Sequence, residues 1–107
     1  MSSEDRKGDA PLSEGELRVA LGRAANSGGI ELSSHAKKRA RERNISVDDF
    51  IHALRYSGWV QDAAAEFDEE RKNWKYSIAS QDIEGDALVL KIALKYEGEL
   101  VEVITAW

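Results

Sequence analysis

At Trp59 the spacing of the apolar residues changes, and that change limits the folds open to this chain. Before it, Leu17, Ala20, Leu21 and Ala24 recur at helical intervals, and so do Val47, Phe50, Ile51 and Leu54. After it, Trp74–Gln81 alternates apolar with polar, Leu88–Tyr96 is almost continuously apolar around Lys91, and Leu100–Trp107 is apolar again. Helices grouped first and strands grouped last describe an α+β protein. The expectation is three helices packed on one face of a three- to four-stranded antiparallel sheet, as one domain over residues 12–107. Residues 1–11 are polar, charged and aperiodic and read as a disordered tail.

The helix boundaries are marked. Ser13 and Glu16 form a capping box, with Leu12 and Leu17 at the staple positions. Asn26-Ser27-Gly28-Gly29 stops that helix. Ile30–Ser33 reads as a short edge strand, after which Ser33 or Ser34 caps a helix over about 35–43. Asn44 suits its left-handed end. Ser46 and Asp49 start the third helix, and Ser57-Gly58 ends it. Trp59 to Ala65 reads as a strand and Glu66 to Asn73 as a charged loop.

The turns set a register. A two-residue Glu97-Gly98 turn places Leu94 against Val101, Ile92 against Val103, Leu90 against Thr105, Ala93 against Glu102 and Lys91 against Ile104. A three-residue Glu84-Gly85-Asp86 loop pairs Tyr76 with Leu94 and Ile78 with Ile92, which gathers the large apolar groups on one face. The other face then carries Lys75, Lys91 and Lys95 with Ser77, Ala93 and Glu102, and it sets Lys75 directly against Lys95. Opposed like charges destabilise a sheet unless they are screened, so this face reads as a small, partly basic platform.

Composition excludes several classes of function. With no cysteine, disulfides, thiolate metal sites and cysteine nucleophiles are ruled out. The two histidines, His35 and His52, lack ligand spacing, and the acidic residues lack a calcium-loop pattern, so no metal and no cofactor is expected. No run approaches a membrane span and the N-terminal residues lack a signal-peptide core, so a cytoplasmic protein away from membranes is the expectation. The net charge of −5 argues against a general nucleic-acid binder. Locally the charge is uneven: Lys37 to Arg43 is basic, whereas Asp62 and Glu66–Glu70 are acidic.

The basic stretch carries the chemistry. His35, Arg39 and Arg43 fall at i, i+4 and i+8, on one helical face. Imidazole titrates near neutral pH and can move a proton, while guanidinium groups hold phosphate oxygens in a two-pronged contact. The alternative is a His35 that caps or packs at the helix start, beside an Arg39 paired with Glu42. His52 reads as surface. A helix-turn-helix reading fails, because Asp48 and Asp49 would sit at the end that meets DNA.

Ser34-His35-Ala36, Arg39, Glu42-Arg43 and Ile45-Ser46 resemble the signature of a bacterial domain-of-unknown-function family, roughly S-x-H-A-x-x-R-x-x-E-R-x-I-S, over residues 30–107. The order of elements also resembles MqsR-type mRNA interferases, relatives of the RelE toxins. The corresponding residues are Leu17 to Ala24, Gly29-Ile30, Trp74 to Ile78, Leu90-Lys91-Ile92 and Val101 to Thr105. Lys75 stands where that toxin has glutamine, and a tyrosine shortly before the Leu-Lys pair is absent. The resemblance implies a metal-independent endoribonuclease, or a degenerate relative, with His35, Arg39 and Lys91 as catalytic candidates. Arg43, Lys75, Lys95 and Tyr76 would bind RNA. The competing reading is a non-catalytic interaction module, a partner or neutraliser in a toxin system, that presents Asp62–Glu70 to a cognate basic protein.

Overall fold

The computed structural model describes residues 10–95 and 98–107. In chain order the elements are α1 (Glu14–Ser27), β1 (Ile30–Leu32), α2 (Ser34–Arg43), α3 (Val47–Arg55), β2 (Val60–Asp68), β3 (Asn73–Gln81), β4 (Ala87–Lys95) and β5 (Leu100–Ala106). The disordered-tail expectation falls, for residues 1–9, outside the described residues.

The caps act as their residue types dictate. The Ser13 and Glu16 box is formed, and Gly28 closes α1 at φ 76°. Ser33 caps α2, and Asn44 ends it in the left-handed conformation at φ 60°. The Ser46 and Asp49 box opens α3, which stops at Arg55, two residues before the expected Ser57-Gly58. Gly29 meets a steric demand, because a Cβ there would strike the Glu99 carbonyl. With only hydrogen at that position, the Gly29 carbonyl accepts from the Val101 N–H at 2.8 Å, and β1 can begin against β5.

The sheet has five strands in the order β1-β5-β4-β3-β2 and is mixed. β1 runs parallel to β5, whereas the other pairs are antiparallel. This corrects the expected three or four antiparallel strands. The parallel pair arises because α1 returns the chain to the β5 edge before α2 departs. β2 is also longer than expected and includes Glu66 and Asp68, leaving 69–72 as the turn. Charges are tolerated there because both carboxylates lie on the solvent face of an edge strand, with Glu66 opposite Lys75.

The β3–β4 register differs from expectation by two residues. Tyr76 pairs with Ile92 and Ile78 with Leu90, because the three-residue loop is Ile83-Glu84-Gly85. Asp82 and Asp86 close it, with the Asp82 N–H donating to the Asp86 carbonyl, and Gly85 takes the φ of 89°. A shift of two preserves the faces. Lys75 therefore opposes Ala93, Lys95 opposes Leu100, and the expected Lys75–Lys95 clash does not occur. The Leu94–Val101, Ile92–Val103 and Ala93–Glu102 pairs form as expected; the Glu97-Gly98 turn that implied them lies partly outside the described residues.

Near its end β5 departs from simple alternation. Ile92 pairs with Val103 but Lys91 pairs with Thr105 and Leu90 with Ala106, so Ile104 is an extra, bulged residue. Beyond it the faces invert relative to the expected Leu90–Thr105 and Lys91–Ile104 pairs. Ala106 turns into the core and is fully buried, while Trp107 turns outward. The core lies between the helices and one sheet face, with Leu17, Leu21, Phe50, Leu54, Trp59, Ile78, Leu90 and Val103 at its centre. Each of these large side chains contributes roughly 1.5–3 kcal/mol by leaving water. Arg18 bridges α1 to the start of β2: its guanidinium sits 4.0 Å over the Trp59 ring and donates to the Ser57 and Trp59 carbonyls. Among the described residues no helix packs on the opposite sheet face.

Candidate nucleic-acid interface

The cations lie on two surfaces of different character. The first is the helix-free sheet face. Strand alternation points Lys75, Lys91 and Lys95 outward here, but each ammonium meets a carboxylate. Lys75 is 3.2 Å from Asp68, Lys91 is 3.5 Å from Glu66, and Lys95 is 3.0 Å from Glu31 and 3.6 Å from Glu102. Arg71 reaches from the β2–β3 turn across to β5 and meets Glu102 at 3.1 Å. Four cations face four carboxylates. Ala93 and Ser77, between these lysines on the same face, are buried. The expected partly basic platform is thus a charge-balanced lattice.

Two of its groups are shifted by these contacts. The Glu31 hydrogen bond, joined by the charge of Glu102, holds the Lys95 ammonium above its ordinary pKa. The Arg71 N–H, with help from Lys75 and the Glu70 N–H, holds the Asp68 carboxyl below its ordinary value.

The second surface is α2. Ser33 fixes it at its start: the Oγ accepts from the Ala36 N–H at 3.0 Å and donates to the Ile104 carbonyl at 2.6 Å, so the helix is tied to the bulge of β5. Of the helix only Ala36 is fully buried, with Ala40 partly so. His35, Lys37, Lys38, Arg39, Arg41 and Arg43 are all exposed. Glu42 is the sole acid on α2, and it pairs loosely with Arg39 at 3.9 Å across half-exposed side chains. His35, Lys37, Lys38, Arg41 and Arg43 make no ion pair or side-chain hydrogen bond with another described residue.

These positions sort the sequence candidates. His35, Arg39 and Arg43 share α2 as the i, i+4, i+8 spacing requires. Lys91 is not joined to them by any described contact: its ammonium points across β3 to Glu66 on β2, at the sheet edge away from α2. Tyr76, read as an RNA contact, lies on the opposite face from Lys75. It is buried in the core, its Oη accepts from the Leu12 N–H at 2.9 Å, and burial raises its pKa. His52, read as surface, is half-buried with its ring stacked 6.1 Å from that of Tyr56 and its Nε2 unpaired. Sequence reasoning offered Glu102 as a screen for the sheet lysines, which Lys95 meets, but missed Trp107, Ser33 as the tie to Ile104, and the pairing of Lys75 with Asp68, Lys91 with Glu66 and Lys95 with Glu31. Among the described residues no group of three or more His, Cys, Asp or Glu side chains could hold a metal, and no helix is long and apolar enough to cross a membrane.

Three helices and a five-stranded mixed sheet define an α+β protein in which α2 carries a set of exposed basic side chains that, Arg39 apart, have no ion-pair partner among the described residues. Residues 32–107 match the family described as domain of unknown function DUF4258, and the chain belongs to that family. The match runs from the end of β1 through β5 and leaves α1 outside it, although Leu17 and Leu21 of α1 are core residues. No curated protein and no solved structure matches the chain.

Proposed function

We propose that the protein binds single-stranded RNA through α2, as a toxin-like endoribonuclease of the MqsR and RelE kind or as a relative that has lost cleavage. The observation that carries this reading is the uncompensated charge of α2 in a chain of net charge −5. Cations left free of carboxylates are the ones available to phosphates, and releasing the counterions of an RNA strand drives binding.

The chemistry available on α2 is attack of the ribose 2′-oxygen, as it loses its proton, on the adjacent phosphorus, with the bond to the 5′-oxygen of the next nucleotide breaking and that oxygen taking up a proton, which leaves a 2′,3′-cyclic phosphate and a 5′-hydroxyl. His35 is the group that can take or return a proton. Arg39, four residues on, stabilises the negative charge that builds on the phosphate, exchanging its long contact with Glu42 for a two-pronged phosphate contact. Arg43 extends the same stripe to the next phosphate. Lys91 joins the reaction only if it releases Glu66, and Lys75 and Lys95 join RNA binding only if they release Asp68 and Glu31.

The test is cleavage of an end-labelled RNA oligonucleotide in the presence of a chelator. Cleavage that His35→Ala and Arg39→Ala each reduce about a hundredfold, with unchanged circular dichroism, supports the enzyme. Binding without cleavage supports the degenerate relative. No binding at low salt overturns the reading.

One observation favours the non-catalytic interaction module instead. The sheet-face lysines are neutralised while Asp62, Glu69 and Glu70 stay exposed along β2 and its turn. That reading expects a basic protein partner, salt-sensitive association, and indifference to His35→Ala.

A further inference from the structure

The cross-strand pairs of β2 to β5 arrange the helix-free face as three rows of four residues. One row is Val60, Ala79, Val89 and Trp107, the next is Ala63, Ser77, Lys91 and Thr105, and the third is Glu66, Lys75, Ala93 and Glu102. The first row is apolar throughout. Its ends stand in water, Val60 with 57% of its surface exposed and Trp107 with 46%. Trp107 is held in place: its N–H donates to the Val89 carbonyl at 2.9 Å, and its carbonyl accepts from the Val89 N–H at 2.8 Å. The bulge at Ile104 sets it there, since unbroken alternation would turn it inward.

The charges on this face limit what can cover it. Lys75, Lys91, Lys95 and Arg71 each meet a carboxylate of their own chain. A charged partner therefore finds little on this face to neutralise, and a neutral surface can cover these pairs without breaking them. The occupant is a surface that is balanced in charge and carries an apolar row of its own. The same face of a second copy has both properties.

The rows also fit such a copy in shape. A two-fold axis parallel to the strands and midway between β3 and β4 lays β3 over β4 of the second copy, and β2 over its β5. Trp107 then faces Val60 of the second copy, and Val89 faces its Ala79. Lys91 comes over Ser77 of the second copy, and Lys75 over its Ala93. Large meets small in each of these pairs, and each contact occurs twice, as an isologous interface requires. Glu66 and Glu102 also face each other, but both are already held, by Lys91 and by Lys95 with Arg71.

We propose that the helix-free sheet face is a homodimer interface, centred on Ala79 and Val89 and closed at both ends by Trp107 against Val60 of the second copy. The two sheets pack face to face about 10 Å apart. Four strands about 4.8 Å apart, each about seven residues long, give roughly 500 Å² per copy. Two such faces bury about 1,000 Å², at the lower limit for specific association, so a dimer of micromolar affinity is expected. The helices lie on the other face of each sheet, so α2 stays open in the dimer. Dimerisation stands or falls independently of the α2 reading.

The test is sedimentation velocity of the full chain from about 1 to 500 μM, a range that brackets a weak interface. A monomer–dimer equilibrium is expected. Trp107→Ala is expected to weaken it about tenfold or more, and Ala79→Arg to abolish it, with circular dichroism unchanged. Each copy carries a net charge of −5, so screening by salt is expected to leave the dimer unchanged or to tighten it. The chain has no cysteine, so Val89→Cys introduces a unique thiol close to the axis. A short bismaleimide is expected to link two Val89→Cys chains, and not two Asp62→Cys chains. A monomer at every concentration overturns the proposal. So does a dimer that salt dissolves, or one indifferent to both Trp107→Ala and Ala79→Arg. Linkage through Asp62→Cys in place of Val89→Cys also overturns it, in favour of pairing along the β2 edge.

Discussion

α2 and the helix-free sheet face each carry several cations, yet the two differ in what those cations can do. On the sheet, strand pairing brings Glu31, Glu66, Asp68 and Glu102 from three different strands to the lysines and to Arg71, and the charge is spent internally. On α2 the one ion pair among the described residues is local, Arg39 with Glu42, and Glu42 is the helix's one acid. A run of basic residues in a helix is therefore a fair guide to free charge. Scattered lysines in strands are not, because their partners are chosen by topology.

The largest effect that sharpens this contrast comes from α2. Replacing Lys37, Lys38, Arg41 and Arg43 together by glutamine is expected to reduce RNA affinity about a hundredfold or more at low salt. It should lower the salt slope by about 3 and leave the unfolding midpoint unchanged. Anisotropy and urea titration measure the two. A large stability loss would show that α2 is not the solvated helix described.

Next is the lattice. Glu102→Ala leaves Arg71 without its partner and Lys95 with only Glu31, and it is expected to cost about 1–3 kcal/mol by urea unfolding. Removing the corresponding acid on α2, by Glu42→Ala, is expected to cost less than about 0.5 kcal/mol, since that pair is long and exposed. Equal costs would erase the distinction between the surfaces. At the end of α2, Asn44→Ala is expected to destabilise by about 1 kcal/mol, because alanine tolerates the positive φ less well, whereas Asn44→Gly is near neutral.

Acid and alkali give the smallest and most diagnostic effects. The Asp49 carboxyl is held below its ordinary 3.8 by the Ser46 and Ile83 N–H groups, and Asp68 is lowered chiefly by the Arg71 N–H. A depressed carboxylate stabilises the fold above its unfolded value, and that contribution is lost as pH falls through the lower folded value. Lys95 is raised above 10.5, so its contribution is complete below that pH and disappears as pH rises through the folded value. Urea midpoints should be flat between these limits and fall at pH 3 and again above pH 11. Asp68→Asn should shrink the acid step and leave the alkaline one.

The elements were legible where local chemistry fixes them. The caps at Ser13, Ser33, Asn44 and Ser46, the period change at Trp59 and the inward faces of β3 and β4 all follow from nearby residues. What could not be read depends on single-residue choices or on distant partners. A loop centred one residue earlier moved the β3–β4 register by two and kept the faces. One bulged residue in β5 reversed the faces and carried Trp107 outward. Glu66 and Asp68 looked like loop residues because only their ladder pairing with Lys75 and Asn73 of β3 makes them strand residues. For the candidate site, the His35-Arg39-Arg43 stripe was legible as spacing, whereas Tyr76 is lost to the core on the apolar face that the expected register had already given it.

The central place of β5 has a consequence for how the chain is made. It lies between β1 and β4 and bonds to Ser33, 71 positions away in the sequence, yet every other described element precedes it. During synthesis β1 and α2 emerge early and have no seat until β5 arrives, so they must wait as an unanchored, cation-rich segment. A fold closed by such a distant pairing forms slowly for its size. Until it closes, the basic residues of α2 stay on a segment that lacks its tie to β5.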